Sequence, residues 1–162
     1  MKYYYSFLRD NPTIMGLSLV NFIASFGAWF STVAIYTMVV DFGSSELAIA
    51  IVTAMHFIPA IIIAPFSGAI IDRMKIKPLM VSLLFTELLM TACFLLVSSA
   101  SDMWMLLIFI FIRMSAASMF FSSEMSLLAK LSSEKSFKQQ MKYNQLFGRL
   151  LMQLVWLLVD LL

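Results

Sequence analysis

Charge is scarce in this chain, and cysteine and histidine are scarcer still. Only 12% of the 162 residues are charged, against about 25% in ordinary soluble domains, while 62% are apolar. Cys93 is the only cysteine, which excludes a disulfide framework and a thiolate metal site and leaves a small, buried apolar residue. The one histidine, His56, has no further ligands at metal-binding spacing, so neither a metal nor a cofactor is expected. A net charge of +2 gives no basis for nucleic-acid binding. What the chain has in abundance is apolar surface, with a mean hydropathy of +0.93. A soluble domain this small has too much surface per unit volume to hide it from water. A bilayer removes the problem, and an all-α, multi-pass membrane protein is expected.

Residues 1–13 form a short polar lead with Lys2, Arg9 and Asp10. Asn11-Pro12-Thr13 suits a helix start, because proline is tolerated in the first turn and Asn or Thr can cap it. The spacing of apolar runs and turn residues predicts five spans, at about 14–40, 47–71, 79–97, 103–128 and 146–162, the last one truncated. The turns between them are Asp41–Glu46, the Gly68–Pro78 region, Ser98–Asp102 and a polar segment over 129–143. Methionines and phenylalanines are spread through every span and read as lipid-facing or packing residues.

The cations fix an orientation. Lys2 and Arg9 precede span one; Arg73, Lys75 and Lys77 lie between spans two and three; Lys130, Lys135, Lys138, Lys142 and Arg149 lie between or beside spans four and five. All three groups fall on one side, and the two opposite turns hold no Lys or Arg. The positive-inside rule then makes the N-terminus cytoplasmic, and the expected location is a cell (inner) membrane. The remaining cation, Arg113, sits within a span.

Several polar residues interrupt the spans. Ser18, Asn21, Ser25, Ala28, Thr32 and Tyr36 recur at steps of three and four, which places small and polar groups on one helix face. Such a face either packs against other helices or lines a cavity, and Asn21, Ser25 and Thr32 are its candidates for lining. His56 is a further candidate, as a proton relay or substrate contact, or as a neutral ring bonded to a carbonyl freed by Pro59. Arg113 lies near mid-membrane, where a guanidinium costs at least ~2.5–3.5 kcal/mol and must find an anion. Glu87, in span three, is its natural partner. Glu124 lies on the same face as Arg113, but roughly 16 Å along the axis, too far for a direct bond. Ser115, Ser118, Ser122 and Ser126 form a small-residue stripe elsewhere on that helix. At the basic turn, Gly68 permits close helix approach, and Asp72 sits at a helix C-terminus where the dipole disfavours it. The turn is either an ordinary topology-setting loop or a functional element.

Gly68-x-x-x-Asp72-Arg73, with Lys77 four residues on, resembles the loop between helices two and three of major facilitator superfamily transporters. In that pattern Lys75 stands where a second glycine is usual, and Ile76 replaces a basic residue. The resemblance implies a conformational latch on the cytoplasmic face made by Gly68, Asp72, Arg73 and Lys77. Arg113 resembles the span-four arginine of proton-coupled antiporters, with Ala117 where a glycine is usual, which implies a coupling or gating role; the alternative is a structural ion pair, and Glu87 and Glu124 are likewise coupling groups or buried charges. Met119–Leu131 followed by a Ser/Lys loop and Tyr143-Asn144 is similar to exporters related to the enterobactin efflux protein. The implied architecture is five helices of a six-helix transporter half. The implied activity is secondary active transport, as proton-coupled efflux of the drug or siderophore type, by alternating access. Its implied partners are protons, an unidentified small-molecule substrate, membrane lipid and a missing C-terminal half. On this reading the chain is a truncated fragment, incompetent for transport alone.

The alternative is a small multi-span protein that forms a channel or scaffold by homo-oligomerisation. A membrane enzyme is disfavoured, because His56, Glu87 and Arg113 are too few and too dispersed for catalysis.

Overall fold

The computed structural model describes residues 12–43, 45–131 and 153. The chain runs through α1 (Pro12–Asp41), α2 (Glu46–Arg73), α3 (Ile76–Cys93), two single 3₁₀ turns (Phe94–Leu96 and Ala100–Asp102) and α4 (Met103–Leu131). Among the described residues, four helical segments are long and apolar enough to cross a membrane: Leu19–Asp41, Glu46–Arg73, Ile76–Leu96 and Ala100–Lys130. The expectation of five spans is therefore corrected to an all-α bundle with four. The fifth, 146–162, lies outside the described residues apart from Gln153. The expectation there rested on apolar density alone, and the segment also carries Arg149 and Asp160.

Local chemistry sets the helix ends. α1 stops at a turn in which Phe42 N donates to Met38 O and Gly43 N to Val40 O. Gly43 adopts φ +62°, a left-handed conformation that costs a residue with a Cβ. α2 opens on Ser45, whose side chain accepts from Ala48 N, with Glu46 in the first turn and Arg73 in the last, each favoured by the helix dipole. It stays helical through Pro59 and Pro65. Each proline removes one N–H, leaving the carbonyls of Met55 and Ile61 without their usual donors. Pro78 falls in the first turn of α3, where the missing N–H has no intrahelical partner anyway. Between α3 and α4, Asp102 Oδ2 accepts from Ser98 N, Ser99 N and Ser99 Oγ at 3.2, 3.1 and 2.8 Å, which closes the turn.

Ala34–Leu131 forms one compact unit, and the helix up to Val33 belongs to another. In the first of these, α4 packs against both α2 and α3. Its core joins Ile35 and Val39 of α1, Val52 of α2, Phe94 and Val97 after α3, and Leu106 and Ile110 of α4. The outward faces are as apolar as the core: Ile61 is 72% exposed and Leu95 86%. A helix apolar all round is built for lipid. Lipid gives apolar side chains no drive to cluster, so close packing and hydrogen bonds must hold the helices together.

The hydroxyl side chains deal with that solvent locally. Thr53 donates to Ile49 O, Thr91 to Glu87 O, Ser115 to Phe111 O and Ser123 to Met119 O, all at 2.8–2.9 Å and all within one helix. Ser67 and Ser82 reach back three residues in the same way, to Ala64 O and Leu79 O. In the unit that includes the N-terminal part of α1, Thr32 donates to Ala28 O at 2.9 Å and Ser25 Oγ to Asn21 Oδ1 at 3.1 Å, while Phe26 and Phe30 stack.

Candidate functional site

The apolar length of α4 carries Arg113 into the bundle interior. With only 3% of its surface exposed, the side chain does not snorkel to water. Its Nε and Nη1 are fully buried and donate to no acceptor among the described residues. Glu87, half-buried on α3, attracts it electrostatically, because the α3–α4 contact brings the two charges to one region. The attraction acts through space, without a hydrogen bond at those two nitrogens. In a low-dielectric interior such a pair interacts far more strongly than on a wet surface. A buried cation facing one carboxylate can hold a proton-dependent charge balance or meet a substrate's charge.

Glu124 is also buried on α4, at 2% exposure, beside the fully buried Ser123. At the α2–α3 turn, Asp72, Arg73 and Lys77 are all exposed, Asp72 and Arg73 in the last turn of α2 and Lys77 in the first of α3. Gly68 faces open space: a Cβ added there would meet no atom within 4 Å. Among the described residues, then, no helix makes the close approach that its size permits. Asn21, Ser25 and Thr32 are half-buried in the other unit, the first two joined by their own hydrogen bond.

His56 is half-buried on α2, and its Nδ1 bonds to Val52 O at 2.9 Å. This differs from the carbonyl expected from sequence. Pro59 frees Met55 O, whereas the ring reaches the carbonyl one turn before its own Cα, since helical side chains lean towards the N-terminus. The imidazole stacks on Tyr36 with centroids 5.8 Å apart and planes 16° from parallel. Tyr36 Oη lies 2.9 Å from Thr53 Oγ1, a bond that joins α1 to α2. Tyr36 was legible as part of the polar stripe on α1. Thr53 was passed over, although its place three residues before His56 puts both on one face of α2. Among the described residues no cluster of three or more metal-ligating side chains occurs.

These features define a multi-pass α-helical membrane protein with ionisable groups inside its bundle. Residues 17–150 match the family profile of the Major Facilitator Superfamily, and over that extent the chain belongs to that superfamily. Its members are transporters, which is the ground for reading this protein as non-enzymatic. No curated protein and no solved structure matches the chain.

Proposed function

We propose that the protein serves secondary active transport of a small molecule, as proton-coupled efflux of the drug or siderophore type. The observation that supports this most is the buried Arg113 with unmet donors, held in the field of Glu87. Keeping a guanidinium in the membrane interior costs several kcal/mol, and such residues concentrate on ion and substrate pathways. In this reading Glu87 carries the transported proton. Arg113 gains its partner when Glu87 is ionised and is released to other anions when Glu87 is neutral. Glu124 extends the same buried charge system. Asp72, Arg73 and Lys77, with Gly68 beside them, latch the cytoplasmic face in one conformation, and the N-terminus lies on that side. Asn21, Ser25 and Thr32 line a cavity within their own unit, and His56 does so within its own.

The test is flux in everted membrane vesicles with an imposed pH gradient, using an amphiphilic amine dye and a catecholate iron chelator as probes. Gradient-driven uptake of either probe, lost in Glu87→Gln while exchange without a gradient persists, is the expected result. Uptake by Glu87→Gln equal to that of the wild type would refute proton coupling through this residue. Gradient-driven flux of another solute with uptake of neither probe would refute the drug or siderophore class.

A further inference from the structure

His56 is the only histidine in the chain, and its neighbours determine where its proton sits. Nδ1 is 2.9 Å from Val52 O. A carbonyl oxygen only accepts, so Nδ1 carries the hydrogen, and in the neutral ring Nε2 is left with a bare lone pair. Thr53 donates its one hydroxyl hydrogen to Ile49 O at 2.9 Å. Its oxygen can then only accept at the 2.9 Å contact with Tyr36 Oη, which makes the tyrosine the donor. All three hydrogens of this cluster are committed to protein oxygens. What remains is acceptor capacity alone. Nε2 is fully buried, and among the described residues this one acceptor stays unmet.

We infer that the Tyr36–Thr53–His56 cluster recognises a small molecule that brings a hydrogen-bond donor, a hydroxyl or an amine N–H, and that His56 Nε2 accepts from it. A carboxylate, phosphate or ether finds no free hydrogen here. The Tyr36 ring, stacked on the imidazole, holds the ring plane and so the direction of the lone pair. Access requires the surrounding side chains to part, as they do in an alternating-access cycle. The inference rests on the transport reading only in taking this molecule as cargo, and it names the chemistry of the cargo's contact group.

The single histidine makes the test direct. The full chain, labelled with ¹⁵N-histidine and held in lipid nanodiscs, gives one pair of ring-nitrogen resonances. The free protein should show a pyrrole-type Nδ1 and a pyridine-type Nε2. 1-Hexanol or hexylamine should move the Nε2 resonance, while methyl pentyl ether, which partitions similarly but only accepts, should leave it in place. Which of the two donors moves it separates hydroxyl from amine recognition. In His56→Phe, which keeps an aromatic ring against Tyr36, binding of the effective probe should weaken about tenfold, the loss of one buried hydrogen bond. A pyrrole-type Nε2 in the free protein would overturn the inference, as would equal shifts from the ether and the donors. Should His56→Phe not fold, the wild-type shifts alone decide. The measurement uses no gradient, so a failed site and a failed transport reading remain distinguishable.

Discussion

Neutralising Glu87 and Arg113, singly and together, probes the interaction on which the proposed coupling depends. Breaking a fully buried, hydrogen-bonded ion pair by removing one partner costs about 3–5 kcal/mol. Here the attraction acts through space, without a hydrogen bond at Arg113 Nε or Nη1, so the figure is lower. Arg113→Gln and Glu87→Gln should each lose about 2 kcal/mol. The double variant removes both charges and leaves neither stranded, so it should lose about 2–3 kcal/mol rather than the sum. The coupling is then about 1–2 kcal/mol, within the range for neighbouring residues. The assay is reversible unfolding in mixed micelles titrated with a denaturing detergent, following helix content. Losses that add to within about 0.5 kcal/mol would show that the two charges are energetically independent. That result would remove the stated basis for coupling through Glu87.

Gly43→Ala should destabilise the α1–α2 turn by about 1–2 kcal/mol, because φ +62° is unfavourable for a residue with a Cβ, and Gly43→Asn should lose less; the same unfolding titration measures both. Asp102→Ala should speed amide exchange at Ser98 and Ser99, since both N–H groups lose the carboxylate that accepts from them, with protection elsewhere in α4 unchanged. Asp72→Asn should leave membrane insertion and stability intact, because a negative charge at a helix C-terminus gains nothing from the dipole. The same variant should lower gradient-driven flux if the latch operates, and unchanged flux would remove that role.

The all-α, membrane-spanning class was legible because apolar runs of this length have few other uses, and the buried arginine stood out because charge is so rare around it. The helix count was not legible. The fifth expected span, 146–162, rested on apolar composition alone, and composition marks an apolar segment without showing that it crosses a membrane. At Gly68, sequence could say that a close approach was permitted but not whether a neighbour takes it up. His56 was legible as an anomaly, yet its partners were not. The bond to Val52 depends on the rotamer, and the stack on Tyr36 depends on how α1 meets α2. Pairings across helices are tertiary facts with no periodicity to reveal them. Thr53, an ordinary residue for a helix of this kind, gains meaning only from the tyrosine that reaches it.

The habit of the serines and threonines of α2, α3 and α4 of bonding to carbonyls of their own helix bears on how these helices can move. Each such hydroxyl enters the lipid already satisfied, so a helix need not wait for a neighbour before it is inserted. The same self-sufficiency lowers friction afterwards. When α4 shifts against α2 or α3, these hydroxyls carry their partners with them, and the contacts exchanged are mostly one apolar surface for another. Polar bonds that cross between helices, such as Tyr36 to Thr53, act instead as detents, holding particular registers against an otherwise smooth slide.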